Sequence, residues 1–116
     1  MIKEEIINNF TPTKFNDYLH SNKNIKDYMI IDLRSPVKYG KNRLSNALNI
    51  DYDDDNFDVK LEKLDRNMVY LFYCSWNAKL NIASKMMADL GFAKIFRMIG
   101  GISAWHKDGF PLEHGE

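Results

Sequence analysis

The feature that most constrains the fold is an apolar run that leads directly into the single cysteine of the chain. Residues Val69–Tyr73 are β-branched, aromatic or aliphatic, and polar and apolar positions do not alternate. A strand of this kind is covered on both faces, as in the middle of a parallel sheet. After Cys74 and a short polar stretch, apolar residues recur at helical spacing over positions 80–90, and Gly91 provides a C-terminal cap. We therefore expect a buried strand, a loop that begins at Cys74, and an amphipathic helix.

Strands and helices alternate along the rest of the chain. Two predicted helices begin at Thr11-Pro12 and Ser35-Pro36, where a capping side chain precedes a residue suited to the first helical position. These two helices cover residues 12–21 and 36–39, and two further helices are predicted at residues 57–64 and 102–105. The other predicted strands cover residues 28–31, 47–50 and 95–98. The alternation predicts an α/β domain whose parallel sheet is covered by helices on both faces.

Length and charge exclude several classes of protein. The chain has 116 residues, of which 45% are hydrophobic, so we expect a single domain over residues 1–116. Sixteen basic and sixteen acidic residues cancel, which removes the electrostatic basis for binding nucleic acid or an anionic membrane. The longest apolar run, residues 68–74, is too short to span a bilayer. We expect a cytoplasmic protein, because residues 1–6 contain acids where a secretory signal would place its apolar segment. An unpaired thiol stays reduced in the cytoplasm.

Cys74 is the candidate nucleophile because of its place in this arrangement. In an open parallel sheet, sites form beyond the carboxyl ends of the strands, and Cys74 follows the most buried strand. The loop after it is short enough to curl and direct successive backbone N–H groups inward, which forms a cradle for anions. These amides, the positive end of the next helix dipole and a lysine ammonium favour thiolate over thiol, so we expect Cys74 to meet solvent as an ionised side chain. The candidate binding residues of this loop are Ser75, Trp76, Asn77, Ala78 and Lys79.

Simpler interpretations of the same residues stay open. On composition alone, a lone cysteine such as Cys74 at the end of a buried strand is more often a small core residue than a nucleophile. Lys79 at a helix start can be solvated without a binding role. Cysteine-dependent phosphatases place an arginine six positions after the cysteine, where this chain has Leu80, which disfavours that activity.

One acidic segment has a spacing typical of calcium loops. Asp51, Asp53, Asp55 and Glu62 occupy positions 1, 3, 5 and 12 of such a loop. The sixth position, where the loop requires glycine for a sharp turn, is Asn56. We therefore expect a solvated acidic turn and no metal site.

Several segments, taken in order along the chain, resemble the rhodanese (thiosulfate sulfurtransferase) family, and specifically its single-domain members. They are Asp32-Leu33-Arg34-Ser35-Pro36, residues 42–49, Leu71-Phe72-Tyr73-Cys74, residues 90–92 and Gly100-Gly101-Ile102-Ser103-Ala104-Trp105. They cover a domain core of about residues 10–112. The resemblance implies a rhodanese-like α/β fold with a central, mostly parallel, five-stranded sheet and helices on both faces.

The resemblance also implies a reaction. In such proteins the thiolate, here Cys74, takes a sulfane sulfur from thiosulfate or a related donor and becomes a persulfide. It then passes the sulfur to a thiophilic acceptor, which is a small molecule such as cyanide or another protein. The active loop runs from Cys74 to Lys79, no metal or organic cofactor takes part, and Lys79 attracts an anionic donor. Arg34 supports substrate binding and Asp32 fixes the strand end, although a purely structural pair of these two is equally compatible with the motif.

Two departures from the family pattern bear on function. Where the family commonly shows Gly-His-Ile-Pro-Gly-Ala, Asn42 and Asn46 replace the glycines, and Asn tolerates a positive φ better than most residues. Trp76 adds a large side chain to the active loop. A second function therefore stays open, in which the chain is a non-enzymatic rhodanese-like binding or sulfur-relay module that docks a protein partner through the Trp76 loop.

Overall fold

The chain forms one five-stranded parallel sheet with helices on both faces, and a small second sheet. The computed structural model describes residues 6–21, 27–75 and 77–115. Its elements are β1 (Ile7–Phe10), α1 (Pro12–Ser21), β2 (Tyr28–Asp32), α2 (Pro36–Lys41), β3 (Asn42–Arg43), β4 (Ala47–Asn49), α3 (Phe57–Glu62), β5 (Val69–Tyr73), α4 (Asn77–Asp89), β6 (Lys94–Met98), α5 (Gly101–Lys107) and β7 (Glu113–His114).

β5 lies at the centre of the sheet, whose strand order is β1-β6-β5-β2-β4. Its side chains alternate between two apolar layers. Tyr70 and Phe72 pack with residues of α3 and α4 on one face, whereas Leu71 and Tyr73 pack with residues of α1 and α5 on the other. Because each face of β5 is buried under helices, its sequence needs no polar position. The predicted fold class, a parallel five-stranded sheet covered on both faces, is confirmed.

The helix starts at Thr11 and Ser35 are also confirmed. The backbone N–H of Lys14 donates to Thr11 Oγ1 over 3.2 Å at the beginning of α1. The N–H of Lys38 donates to Ser35 Oγ over 3.3 Å at the beginning of α2. Each hydroxyl therefore satisfies a donor that the first turn of a helix would otherwise leave without a partner.

Three strands were not predicted. β1 contains two asparagines and pairs with β6 alone, at the edge of the sheet. β3 and β7 have two residues each and pair antiparallel, which joins segments far apart in the chain. Such strands carry too few apolar residues to produce a periodic signal, and only tertiary pairing creates them.

The two asparagines at the family's glycine positions have different backbones. Asn46 has φ of 67° and is the single non-glycine residue with positive φ among the described residues. Asn42 has φ of −160°, which is extended backbone that any residue adopts. The prediction that Asn preserves a positive φ is thus confirmed at Asn46 and wrong at Asn42, which instead accepts a hydrogen bond from Arg34.

Replacing Asn46 by alanine should lower the free energy of unfolding by about 1 kcal/mol, since alanine in the left-handed region lacks the short polar side chain that makes asparagine more tolerant of a positive φ. Asn46 is exposed, so little packing is lost. Urea denaturation measures the change. Asn46→Gly is the matched variant and should be at least as stable as the wild type; equal stability of the alanine variant would contradict the assignment of strain.

Candidate active site

The carboxyl ends of three neighbouring strands bring the candidate residues together. Asp32, the last residue of β2, is paired in register with Tyr73 at the end of β5 and with Asn49 at the end of β4. Arg34 and Cys74 each follow shortly after one of these ends. Because the strands are parallel, the loops that follow them lie at the same edge of the sheet.

A small cavity of about 70 Å³ lies at this edge, and Cys74 forms part of its wall. Its volume suffices for a few water molecules or a small ion. The lining residues are Leu33, Arg34, Ser35, Lys38, Asp53, Cys74, Ser75 and Lys79. The structure thus brings four of the predicted site residues, Cys74, Ser75, Lys79 and Arg34, to one cavity.

The remaining predicted loop residues do not line this cavity. Asn77 and Ala78 begin α4, where both are exposed. Trp76, whose loop is the predicted contact for a protein partner, lies outside the described residues. The cavity also contains two charged residues that the sequence did not single out for substrate binding, Lys38 and Asp53. Lys38 lies in α2 and Asp53 in the loop between β4 and α3. Nothing in the sequence of either segment indicates that it lies near Cys74.

Cys74 is more enclosed than the sequence led us to expect. A solvent-exposed sulfur was expected at the start of the loop, but the residue is only 5% exposed and belongs to an apolar cluster that includes Leu33, Phe72 and Leu80. The expectation of exposure is therefore wrong. Cys74 lines the small cavity together with residues of the loops after β2 and β4.

The carboxylate of Asp32 accepts hydrogen bonds from two groups next to the site, Arg34 and Tyr73. It is fully buried and forms a salt bridge of 2.7 Å with Arg34, whose backbone N–H also donates to it over 2.9 Å. The Tyr73 hydroxyl donates to Asp32 Oδ2 over 2.7 Å and accepts the backbone N–H of Leu44 over 3.2 Å. The carboxylate is therefore well supplied with donors, which a buried charge requires.

These contacts also fix the protonation of the network. Burial, reinforced by the charge of Asp32, raises the pKa of Tyr73 far above its usual value, so the hydroxyl keeps the proton that it donates. Burial by itself lowers the pKa of Arg34, but the hydrogen bond and the charge of Asp32 outweigh it and raise the pKa overall. The two groups are thereby held as neutral phenol and cationic guanidinium.

The guanidinium of Arg34 is largely engaged by protein acceptors. Its Nε and Nη2 contact Asp32, and its Nη1 and Nη2 donate to the side chain and the carbonyl of Asn42. Arg34 lines the cavity, yet these contacts leave it few N–H groups for a ligand. The geometry favours the structural interpretation of the Asp32–Arg34 pair.

The ammonium of Lys79 is also paired. Its Nζ lies 2.7 Å from Asp53 Oδ2 and 5.6 Å from the centre of the Tyr52 ring. The hydrogen bond that Lys79 donates to Asp53 raises the pKa of Lys79, and the negative charge of Asp53 adds to the effect. Lys79 is therefore a cation at the cavity, but one that a carboxylate already partly neutralises.

Gly101 sets the position of the Cys74 backbone. Its φ is +64°, and a Cβ built on it would lie 2.2 Å from the carbonyl oxygen of Cys74. The first residue of α5 therefore contacts the start of the active loop through bare backbone, which only glycine permits. Gly100-Gly101 belongs to the segments that resemble the rhodanese family, but nothing in the local sequence indicates this contact with Cys74.

The alternative chemistries find no support in the geometry. Within the described ranges, no three His, Cys, Asp or Glu side chains are grouped closely enough to hold a metal ion. Asp53, one residue of the calcium-loop spacing, pairs with Lys79. Leu80, which occupies the position where a phosphatase would need an arginine, is 1% exposed in the core.

In the described part of the chain, no helix has the length and apolar character needed to cross a membrane.

Comparison with known proteins identifies similar chains. The family model for the rhodanese-like domain matches residues 12–108. A sulfurtransferase of Allochromatium vinosum is 21% identical over 87 residues, which are 75% of this chain and 79% of that protein. The thiosulfate sulfurtransferase GlpE of Coxiella burnetii is 25% identical over 80 residues, which are 69% of this chain and 73% of that protein.

Two further comparisons concern a longer relative and a protein of known structure. A tRNA uridine(34) hydroxylase of Cytophaga hutchinsonii is 30% identical over 83 residues, which are 69% of this chain but 27% of that protein. The crystal structure of the Alr3790 protein from Anabaena sp. superposes with a TM-score of 0.78 at 17% identity and covers 91% of this chain and 92% of that one. At such identity the similarity shows the fold.

Replacing Gly101 by alanine should displace the Cys74 carbonyl and loosen the start of the loop. We expect Gly101→Ala to react faster with iodoacetamide than the wild type, and to be destabilised by more than the roughly 1 kcal/mol of positive-φ strain. Because Cys74 is the single cysteine, alkylation reports on this site alone.

Gly91→Ala is the matched control, since Gly91 has φ of +90° but open space around its added Cβ. It should show the strain without the change in alkylation rate. Equal alkylation rates in the two variants would contradict the role of Gly101 at Cys74.

Proposed function

The chain belongs to the rhodanese-like domain family, and we propose that it is a sulfurtransferase in which Cys74 carries the transferred sulfur as a persulfide. One observation carries the proposal. Cys74 follows the central strand and lines a small cavity together with Arg34, Lys38 and Lys79, three cationic side chains. A nucleophilic sulfur beside cations is the arrangement that the attack on an anionic sulfur donor needs.

The first half-reaction loads the sulfur. The Cys74 thiolate attacks the outer, sulfane sulfur of thiosulfate and forms a new S–S bond. The S–S bond of thiosulfate breaks, and sulfite leaves with the electron pair of that bond. The product is a persulfide anion on Cys74, and no external oxidant or reductant is required.

The second half-reaction returns the thiolate. A thiophilic acceptor such as cyanide attacks the terminal sulfur of the persulfide and forms a carbon–sulfur bond. The persulfide S–S bond breaks, its electron pair returns to Cys74, and thiocyanate leaves. Donor and acceptor thus react in turn with the same sulfur atom, which predicts ping-pong kinetics.

The surroundings of Cys74 support roles for its neighbours. Lys38 and Lys79 would stabilise the negative charge of the donor and of the departing sulfite, because both line the cavity. Asp32, Tyr73 and Arg34 would hold the loops in place through their buried hydrogen bonds. The small volume favours donors and acceptors whose reacting atom projects from a narrow end, thiosulfate and cyanide among them. A cytoplasmic location would keep the unpaired thiol reduced.

The burial of Cys74 supports a second candidate function. Cys74 is 5% exposed, so donors and acceptors would react with it slowly if the loop does not open. The protein would then act as a binding or sulfur-relay module. Such a module would receive sulfur from, or deliver it to, a protein partner that opens the site, with the Trp76 loop as its contact.

Mass spectrometry after incubation with thiosulfate tests the proposal. The wild type should gain the mass of one sulfur atom, and cyanide should remove it with release of thiocyanate. Cys74→Ser should gain nothing, because its hydroxyl does not form the persulfide. Circular dichroism of Cys74→Ser and Cys74→Ala serves as the folding control, since Cys74 belongs to the core cluster.

The two candidate functions predict different results. Repeated turnover with thiosulfate and cyanide supports the enzyme. A persulfide that forms once but is not discharged by cyanide supports the relay module. No adduct on a folded wild-type protein would overturn the persulfide proposal.

Replacing Lys79 by alanine should raise the KM for thiosulfate by about threefold with little change in kcat, since it removes one positive charge from the cavity wall. Steady-state kinetics with cyanide as acceptor measures both constants. Lys60→Ala is the matched control, because Lys60 forms a similar 2.7 Å salt bridge with Asp54 but does not line the cavity. The same change of KM in both variants would show that Lys79 has no specific role in donor binding.

A further inference from the structure

Asp53 carries the one carboxylate among the described residues that line the Cys74 cavity. We propose that Asp53 determines donor specificity, because its charge disfavours dianionic donors such as thiosulfate relative to sulfane-sulfur donors that carry one negative charge. This inference rests on the proposed sulfurtransferase function. It assigns to the cavity a preference for monoanionic donors, of which thiosulfonates and the persulfides of small thiols are the chemical classes.

The position of Asp53 gives it two effects on a donor. It belongs to the loop between β4 and α3, and its carboxylate reaches across to Lys79 near the beginning of α4, where the two atoms are 2.7 Å apart. The pair therefore occupies the ammonium that would otherwise face the donor. The carboxylate also repels the donor directly, since both line the same small space.

The charges around the cavity indicate how much negative charge it accommodates. Arg34 is balanced by Asp32 at 2.7 Å, and Lys79 is balanced by Asp53 at the same distance. Lys38 also lines the cavity, and it forms no salt bridge with another residue of the described ranges. Among the described residues, Lys38 is thus the cavity cation without a salt-bridge partner. Because the Cys74 thiolate of the proposed reaction already adds one negative charge to the cavity, a donor with one negative charge is accommodated better than a donor with two.

The side chains of Asp53 and Lys79 are exposed enough for a donor to approach them. The side chain of Asp53 is 64% exposed and that of Lys79 is 32% exposed, so the pair lies at the rim of the cavity and not in the core. Substitution of Asp53 should therefore change the charge of the entrance with little effect on folding. Asp32, which is fully buried, offers no such freedom.

Two donors that differ in charge but not in reaction test the inference. Thiosulfate is a dianion, and methanethiosulfonate is a monoanion in which a methyl group replaces one oxygen. In both cases the Cys74 thiolate attacks the outer sulfur and the S–S bond breaks; sulfite leaves from the first and methanesulfinate from the second, each with the electron pair. The ratio of their kcat/KM values isolates the effect of donor charge.

We expect Asp53→Asn to raise the ratio of kcat/KM for thiosulfate to that for methanethiosulfonate by about threefold, as one unit of charge about 7 Å away does in a water-like surrounding. Added salt should reduce this gain. Asp55→Asn is the matched control, because Asp55 is exposed on the same loop and does not line the cavity. Asp53→Glu keeps the charge and should keep the wild-type ratio.

The outcomes separate this inference from the proposed function. Persulfide formation with an unchanged donor ratio in Asp53→Asn would overturn the role of Asp53 and leave the sulfurtransferase proposal intact. The same rise in Asp55→Asn would attribute the effect to net charge and would also overturn it. A faster reaction with both donors alike would place the effect of Asp53 on Cys74 instead of on the donor. Absence of persulfide from every donor would overturn both proposals.

Discussion

The buried carboxylate of Asp32 is the interaction on which the site depends. It receives hydrogen bonds from Tyr73 and Arg34, and so joins the end of the central strand to the loop that forms the opposite wall of the cavity. A buried charge without these donors would cost several kcal/mol, so the three groups form together or not at all. Cys74 follows Tyr73 directly, and its position is therefore set by a polar network that lies beneath it and not by the loop alone.

The three cations that line the cavity differ in how strongly other protein groups bind them. Arg34 is held by Asp32 and Asn42 and supports the structure, whereas Lys79 and Lys38 reach the cavity with less commitment to protein acceptors. In the proposed reaction, the enclosed thiol, the small volume and the carboxylate at the rim would restrict which donors can approach. Stability and selectivity would then depend on different charges at the same edge of the sheet.

Much of the fold was predictable because its signals are local. The strand Val69–Tyr73 and the helix Pro12–Ser21 have the predicted bounds, since one is apolar throughout and the other begins with a cap and a proline. The edge strand Ile7–Phe10 was missed because its asparagines break the apolar pattern and only pairing with β6 makes it a strand. The approach of Gly101 to Cys74 was missed because it joins residues far apart in the chain.

The sequence by itself determined the α/β class, the place of Cys74 after a buried strand, and three of the residues that line its cavity, Ser75, Lys79 and Arg34. Periodicity, caps and short motifs are properties of single segments, so they could be read without the fold. Only the tertiary structure decided how open the sulfur is, that Arg34 serves the Asp32 network, and that Asp53 reaches Lys79. Those facts depend on which loops meet at one edge of the sheet. Their physical cause is the competition of each charged group for the partners that folding brings within about 3 Å, and no single segment of the chain contains that information.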